Sequence, residues 1–384
     1  MITKENKVKN EVKNSQNQKQ TEKIKVSSNL LRNAIDLSNL NGISSREEGI
    51  VDYLKKEFKS MKNIIIERDG LGSVAFIKKG KKDHPIISFT THMDEVGFMI
   101  TNITKDGFLN FSPIGGWWSH VLLGQLLRII TEKNKSIIGV VGSKPPHLLT
   151  REEAQKVLPI KSLFIDIGAK SKEDVLSLGI NIGDQVVPYQ TNVHKILNDR
   201  LIGKAFDNRI SIATGIEIMH QIANKELEAT VIFICSTQEE VGLRGAKTSS
   251  YKWTPDIAFA VDVTIANDTP GLILNDTKLG SGPALSLFDS SILANPNLFQ
   301  KIKEIAEKNN INYTIDSLTG GGTDAGTIHL TKNGVITMTI SIPSRYMHSH
   351  NSIIDLKDAQ KTADLIVKIL NELTLNTINN IKYK

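Results

Sequence analysis

Residues 231–246, VIFICSTQEEVGLRGA, join an apolar run to two consecutive glutamates, Glu239 and Glu240, and a glycine-punctuated turn. The continuous apolar run predicts a strand that is buried on both faces of a sheet. Open α/β sheets bind ligands beyond the carboxyl ends of their strands, which is where this acidic pair follows. Neighbouring side chains of an extended segment point in opposite directions, so the two glutamates can serve a metal ion and a water molecule separately. An exposed acidic turn is the alternative, and the rest of the chain has to decide.

The composition is that of an ordinary globular protein, since 40% of the 384 residues are hydrophobic and 23% are charged. The net charge is +6, but residues 1–25 carry +4 of it, so nucleic acid is not expected as a partner. The single cysteine, Cys235, excludes a disulfide framework and favours a reducing compartment. Because the sequence has neither a membrane-spanning apolar run nor a secretory signal, we expect a cytoplasmic protein without a membrane partner.

The first part of the chain predicts a tail followed by an α/β domain. Residues 1–26 are rich in Lys, Asn and Gln, which predicts a disordered tail, with a charge-mediated docking arm as the alternative. Residues 27–97 are assigned to the α/β domain. They contain two predicted helices, one starting at Ser27 or Ser28 and one at Ser44 or Ser45. Three predicted strands follow, and the third leads into His92 and Asp94.

The pattern of apolar residues in the middle of the chain differs from the pattern at both ends. Residues 98–193 contain short apolar runs broken by Gly and Pro, which predict an inserted β-rich unit, plausibly a small barrel. Residues 194–384 are assigned to the second part of the α/β domain. There a long helix is expected after Asp207, and a strand is expected to end at Asp262. The sequence therefore predicts an α/β fold with a β-rich insertion.

Five candidate metal ligands lie near predicted strand ends or in adjoining loops: His92, Asp207, Glu240, Asp262 and His348. Each alone would usually be structural or solvated, but five at one sheet edge are much less expected by chance. Two imidazoles and three carboxylates suit two divalent ions such as Zn²⁺, Co²⁺ or Mn²⁺. Asp94, on the same face as His92, is positioned to accept the ring N–H, and Glu239 remains as a general base.

Many ordered motifs identify the chain as similar to the M42 family of metallo-aminopeptidases, the glutamyl-aminopeptidase and TET-type enzymes, some of which were once labelled endoglucanases. The resemblance covers about residues 28–372. Its segments include THMDEVGFM (91–99), PIGGWW (113–118), GKAFDNR (203–209), STQEEVGLRGA (236–246), VDVTIANDTPG (261–271), GGGTDAG (320–326) and RYMHS (345–349). The motifs are long, numerous and in family order, so the match is specific.

The resemblance implies a phosphorylase/hydrolase-like α/β/α catalytic domain with an inserted, PDZ-like small β-barrel for dimerisation. It implies an aminopeptidase whose substrates are peptides with a free N-terminus. Family members commonly form tetrahedral dodecamers, so a homo-oligomer built from dimers is expected. The spacing of residues does not specify whether an acidic, aliphatic or basic N-terminal residue is preferred.

The resemblance also implies the roles of the site residues. His92 and Asp262 are expected to bind one ion, Glu240 and His348 the other, and Asp207 to bridge the two.

Two further acids complete this implied site. Glu239 is expected to be the general base and Asp94 the carboxylate behind the first histidine. The segment after His348 departs from the usual family pattern, because a downstream carboxylate is absent and His350 stands two residues on. His350 is thus a competing ligand candidate, although it matches the family position less well.

The alternatives to an aminopeptidase are a glycoside hydrolase and a non-catalytic scaffold. A glycoside hydrolase needs two carboxyl groups on opposite sides of a sugar and usually aromatic platforms, whereas here the glutamates are adjacent and aromatic content is 5%. A non-catalytic scaffold of the same fold would require a broken ligand set, which the sequence does not show. The glycines Gly320 to Gly322 predict either a tight turn with positive φ or a direct contact with substrate.

Overall fold

The computed structural model describes residues 25–272 and 275–382, which form one large mixed sheet and one closed barrel. The expectation of a disordered tail concerns residues that lie almost wholly outside these ranges. Among the described helices, none is both long and apolar enough to cross a lipid bilayer.

The strands are numbered in chain order. They are β1 (Ile64–Arg68), β2 (Val74–Lys78), β3 (Ile86–His92), β4 (Gly97–Ile103), β5 (Leu109–Ile114), β6 (Leu126–Ile130), β7 (Ser136–Gly142), β8 (Phe164–Asp166), β9 (Gln185–Pro188), β10 (His194–Lys195), β11 (Arg200–Gly203), β12 (Thr230–Ser236), β13 (Ile257–Ile265), β14 (Ala284–Phe288), β15 (Thr314–Ser317), β16 (Ile336–Arg345) and β17 (Ser352–Asp355).

The α-helices are numbered in the same way. They are α1 (Ser28–Asn39), α2 (Glu48–Phe58), α3 (Arg151–Ala154), α4 (Lys172–Ser177), α5 (Phe206–Ile222), α6 (Arg244–Trp253), α7 (Pro296–Lys308), α8 (Ala325–Ile328), α9 (Leu356–Glu372) and α10 (Leu375–Ile381).

The large sheet has a parallel centre. Its strand order is β1-β2-β12-β3-β13-β16-β17-β11-β10, with β14 beside β16 and β15 beside β14. Strands β12, β3, β13 and β16 run parallel, so their carboxyl ends meet at one edge. Every residue of β12 is buried, which confirms the prediction made from its apolar run.

Helices cover both faces of this sheet, which explains why its central strands are apolar on both sides. Alternate residues of β12 enter different clusters, since Phe233 packs in the large core with Ile212 of α5 whereas Ile234 packs with Trp253 of α6. The architecture is the predicted α/β/α arrangement.

The inserted segment folds as the predicted barrel. Its strands close in the order β4-β5-β8-β7-β6-β9, and neighbouring strands are antiparallel. It has a core of its own that includes Phe98, Phe111, Ile129 and Ile165. The chain enters this unit directly after β3, so one end of the barrel lies next to the carboxyl edge of the large sheet.

The helix starts were predicted with mixed success. Ser27 caps α1 as expected, since its hydroxyl oxygen accepts from the N–H of Asn29 at 3.2 Å. The predicted serine cap of α2 is wrong, because α2 follows Glu47, which makes no side-chain cap hydrogen bond. The hydroxyl of Ser44 instead donates to Asp94 at 2.6 Å. Ser44 therefore stabilises a carboxylate that is distant in sequence and does not cap the helix.

Glycine at position 215 allows α5 to lie close to β12, and it gives the first testable prediction. A Cβ at Gly215 would lie 2.4 Å from Cε2 of Phe233. We expect Gly215→Ala to lower the free energy of unfolding in urea by about 1–3 kcal/mol through overpacking.

Gly49 provides a matched control for this substitution. It lies on the exposed side of α2, and nothing approaches the position of its missing Cβ. Gly49→Ala should therefore raise the free energy of unfolding by about 0.5–1 kcal/mol. Equal effects of the two substitutions would contradict the proposed close packing.

Candidate metal centre

The parallel strands bring all five predicted ligands to one edge of the large sheet. His92 is the last residue of β3, and Glu240 lies in the loop after β12. Asp262 was predicted to end its strand but lies inside β13, which continues to Ile265. His348 follows β16, and Asp207 lies in the irregular first turn of α5.

Asp207 lies between the two histidines. Its Oδ1 is 3.1 Å from Nε2 of His92, and its Oδ2 is 3.3 Å from Nε2 of His348. The backbone at Asp207 is not helical, with φ −79° and ψ 102°, and this turns its carboxylate toward both rings. One carboxylate thus contacts both imidazoles through different oxygens.

The other acids surround this trio. Nε2 of His92 is also 3.7 Å from Oδ1 of Asp262 and 3.9 Å from Oε2 of Glu239. Oε2 of Glu240 is 3.6 Å from Nε2 of His348.

Two overlapping sets of potential ligand atoms result from this packing. Atoms of His92, Glu239 and Asp262 lie within 4.8 Å of one another, as do atoms of His92, Asp207 and Glu240. His92 therefore belongs to both sets.

Asp94 supports the acidic pair from behind. It is fully buried, and its carboxylate accepts from the main-chain N–H groups of Glu239 at 3.0 Å and Glu240 at 3.1 Å. Ser44 supplies a third donor. These hydrogen bonds fix the backbone from which both glutamate side chains project.

The expected contact between the Asp94 carboxylate and the His92 ring needs correction. Nδ1 of His92 lies 3.0 Å from the main-chain carbonyl oxygen of Asp94 and 3.5 Å from its carboxylate Oδ1. The nearer acceptor is therefore the carbonyl. Either acceptor leaves Nε2 facing the cluster, which is the orientation that a metal ligand needs.

A buried ionic network joins α5 to the end of β3. Nζ of Lys204 lies 2.7 Å from both carboxylate oxygens of Glu95. The fully buried guanidinium of Arg209 donates to the carbonyl oxygen of Met93 at 2.7 Å. Since Asp207 lies between these two cations in sequence, the network holds it against the strand that ends in the first histidine.

The inserted unit reaches the site through one carbonyl group. Nδ1 of His348 lies 2.9 Å from the carbonyl oxygen of Gly116, which follows β5. This contact orients Nε2 of His348 toward Asp207 and Glu240. His350, the competing candidate, packs its ring 5.5 Å from that of Trp117, and in the part of the chain that the structure describes neither of its nitrogens has a hydrogen-bond partner.

Crowding of buried carboxylates shifts their pKa values strongly. Burial raises the pKa of Glu239 well above its usual range, and burial together with the Asp207 carboxylate raises the pKa of Glu240 and of Asp262 to about 8. Although burial opposes it, hydrogen bonds from both histidines lower the pKa of Asp207. Burial lowers the pKa of His348, but the Asp207 carboxylate outweighs burial and raises this pKa to about 10.

The donor set suits a metal centre. Oε1 of Glu240 is buried and has no hydrogen-bond partner within residues 25–272 and 275–382, although Oε2 of the same carboxylate faces His348. An orphaned carboxylate oxygen within a cluster of carboxylates and imidazoles is costly unless a cation satisfies it. Oxygen and imidazole ligands fit divalent ions of borderline hardness.

A cavity of about 810 Å³ opens beside this cluster. Its wall includes Gly320 to Gly322, of which only Gly321 has positive φ, at 81°. The positive φ at Gly321 confirms the predicted tight turn at that residue, and a direct contact of the run with substrate stays a prediction.

Sequence reasoning missed several acids near the centre. Asp324 is buried and accepts from Ser236 of β12, and burial raises its pKa to about 6. The signal was available, since this acid stands two residues after the glycine run. Asp289 and Asp316 line the cavity but resemble ordinary turn and strand residues in sequence.

Comparisons with known proteins show a family to which most of this chain is similar. The family model described as M42 glutamyl aminopeptidase matches residues 72–365. FrvX of Escherichia coli (strain K12) is 37% identical over 345 residues, which cover 89% of this chain and 95% of that protein. The glutamyl aminopeptidase of Lactococcus lactis subsp. cremoris (strain MG1363) is 34% identical over 348 residues, covering 90% of this chain and 97% of the relative.

Solved structures are similar over the same length. The TET aminopeptidase of the marine sediment archaeon Thaumarchaeota archaeon SCGC AB-539-E09 has a TM-score of 0.89 at 36% identity, covering 92% of this chain and 99% of its own. The Pyrococcus horikoshii TET1 peptidase, which can assemble into a tetrahedron or a large octahedral shell, has a TM-score of 0.80 at 34% identity. That alignment covers 90% of this chain and 100% of the relative.

Proposed function

The chain belongs to the M42 glutamyl aminopeptidase family and is a metal-dependent aminopeptidase, and we propose that its site holds two divalent ions. In this proposal His92 and Asp262 hold one ion, while Glu240 and His348 hold the other. Zn²⁺ and Co²⁺ are the proposed ions, with Mn²⁺ as a further candidate.

The position of Asp207 carries the proposal of two ions. Its two carboxylate oxygens face different histidines, at 3.1 and 3.3 Å. A single carboxylate shared by two imidazoles is suited to bridging two cations, one beside each ring. Glu240 and Asp262 then lie on opposite sides of that bridge, each near one histidine.

Glu239 is proposed as the general base. Such ions, when bound, polarise a peptide carbonyl and acidify a water molecule. The Glu239 carboxylate lies at the same cluster, with Oε2 3.9 Å from Nε2 of His92, where it can accept a proton from water and pass it to the leaving amine. Asp94 acts as a positioning residue, because it holds the main-chain N–H of Glu239.

The site also accounts for cleavage at the N-terminus. A free α-amino group can bind a metal ion as the neutral amine or pair with a carboxylate as the ammonium ion, so we propose that it docks at the metal centre or at a nearby carboxylate. An internal peptide segment lacks that amino group and has no comparable anchor. Substrates are therefore peptides with an unblocked N-terminus.

The glycosidase alternative is not favoured by the cavity. Among the described residues that line it, Tyr346 is the only Phe, Tyr or Trp, whereas a sugar site usually has several aromatic platforms. A glycosidase would also leave His92 and His348 without a role.

We propose that the chain self-associates as a homo-oligomer built from dimers; the Pyrococcus horikoshii TET1 peptidase, which is similar to this chain, can assemble into a tetrahedron or a large octahedral shell. Three apolar side chains on the outside of the barrel support this proposal: Leu126, Ile138 and Val140 are 45%, 46% and 37% exposed. Leu126 and Val140 are direct partners across β6 and β7. Contiguous exposed apolar residues are typical of a protein interface.

The aminopeptidase activity is tested with chromogenic aminoacyl substrates. After chelator treatment we expect no hydrolysis, and after addition of Zn²⁺, Co²⁺ or Mn²⁺ we expect cleavage of substrates with a free amino group. The N-acetylated forms of the same substrates are the control and should not be cleaved. Failure to cleave any unblocked substrate with any of the three ions would exclude the function.

Removal of the proposed base should separate catalysis from metal binding. We expect Glu239→Gln to lower kcat by about 10²–10⁴-fold, because a glutamine cannot accept the proton. Metal content, measured by mass spectrometry of the purified protein, should stay at the wild-type level. Glu226→Gln, on the exposed surface, is the matched control and should not alter kcat. More than one hundredth of wild-type activity in the Glu239 variant would refute the assignment.

The proposed interface is tested by Ile138→Lys on the barrel. A buried ammonium group is costly in an apolar interface, so light scattering should show a smaller assembly than that of the wild type. Leu330→Lys replaces another exposed leucine, 71% accessible and outside the barrel, and should leave the assembly unchanged. An unchanged mass for both variants would place the interface elsewhere.

A further inference from the structure

The cavity beside the proposed metal centre has an acidic wall. Two carboxylates that are not proposed as metal ligands, Asp289 and Asp316, line it, and neither forms a salt bridge with a described residue. They come from neighbouring strands, since Asp316 lies in β15 and Asp289 directly follows β14, its parallel partner.

Asp316 is held by neutral donors alone. It is 2% exposed; one oxygen accepts from the hydroxyl of Thr264, and the other accepts from the amide of Asn275 at 2.8 Å. These bonds orient the carboxylate without neutralising its charge. A buried anion with neutral partners favours the approach of a cation.

Asp289 retains an unsatisfied oxygen. Its Oδ1 accepts from the main-chain N–H of Ser291 at 2.7 Å and of Ile292 at 3.1 Å. Its Oδ2 has no hydrogen-bond partner among the described residues, although the residue is only 9% exposed. A buried carboxylate oxygen without a donor is costly, and a cationic ligand would remove that cost.

The positive charge in the cavity wall is already neutralised. Among the described lining residues, Arg345 is the only lysine or arginine. Its guanidinium forms a two-pronged pair with Asp268, with distances of 2.8 and 2.6 Å. Such a pair leaves little attraction for a substrate carboxylate. The wall is therefore negative overall.

The acids lie on one side of the metal centre, along β13. Thr264, which donates to Asp316, lies two residues beyond the proposed ligand Asp262 and therefore on the same face of the strand. Two residues of a strand span roughly 7 Å. A side chain that starts at the metal centre needs a long, unbranched stem to reach Asp316.

Resting on the aminopeptidase function proposed above, we propose that this cavity selects a long cationic N-terminal side chain, lysine or arginine, through Asp289 and Asp316. The lysine ammonium group is carried on a four-carbon stem, which matches a charge partner set back from the metal centre. A glutamate side chain would meet two carboxylates and no free cation, so it is disfavoured. The chain thus differs from the glutamyl preference in the name of its family model.

The test compares lysyl, leucyl and glutamyl chromogenic substrates with the metal-loaded wild-type enzyme and with the double variant Asp289→Asn, Asp316→Asn. We expect kcat/KM of the wild type to fall in the order lysyl, leucyl, glutamyl. In the double variant the ratio of kcat/KM for the lysyl substrate to kcat/KM for the leucyl substrate should fall about 10–100-fold, because the variant lacks the charged acceptors. Leucyl hydrolysis should change little.

Controls separate specificity from folding. Asp106→Asn removes an exposed carboxylate in a barrel turn and should leave all three rates unchanged. If the double variant has a lower Tm, the single variant Asp289→Asn, which keeps an oxygen acceptor for the main-chain N–H groups of Ser291 and Ile292, provides the same comparison.

Each remaining outcome has a distinct meaning. A glutamyl preference, or equal lysyl and leucyl rates in the wild type, would overturn the cationic specificity while leaving the aminopeptidase function intact. Equal losses for lysyl and leucyl substrates in the variant would also overturn it, because they would assign the acids to the α-amino group. Absence of hydrolysis of every substrate by the wild type would refute the proposed function itself.

Discussion

The hydrogen bonds from Glu239 and Glu240 to the Asp94 carboxylate are the constraint on which this site depends. A fully buried carboxylate must have donors, and the two consecutive main-chain N–H groups supply them. The loop after β12 is thereby tied to the residues that follow β3. Because the backbone of the acidic pair is held from behind, its side chains project separately into the cluster. This division is the physical basis for assigning one glutamate to metal binding and the other to proton transfer.

The cluster concentrates negative charge that the surrounding fold has to tolerate. Burial, together with the neighbouring Asp207 carboxylate, raises the pKa of Glu240 to about 8. The ionic network of Lys204, Glu95 and Arg209 holds the segment that carries Asp207 against this repulsion. Divalent ions would relieve the repulsion directly, since they offset the carboxylate charge. Strong preorganisation of this kind keeps ligands in position before a metal binds.

The inserted barrel takes part in the site as well as in the proposed assembly. The carbonyl oxygen of Gly116 fixes the ring orientation of His348, so a movement of the barrel relative to the sheet would disturb a proposed metal ligand. The same unit presents Leu126 and Val140 on its outer surface. If subunits associate there, assembly and metal binding share one structural element. The arrangement offers a physical route by which oligomerisation could influence activity.

The sequence by itself determined the α/β/α class, the barrel insertion and the residue types of the metal centre. Buried parallel strands require continuous apolar runs, so histidines and acids beside those runs can be recognised from the sequence as candidate site residues. Tertiary structure alone decided that His348, and not His350, faces Asp207, and that Ser44 supports Asp94 instead of capping α2. It also decided that Asp289 and Asp316 share a cavity with the proposed metal ligands. These contacts join residues far apart in sequence, and they depend on strand order and register, which hydrophobic periodicity does not encode.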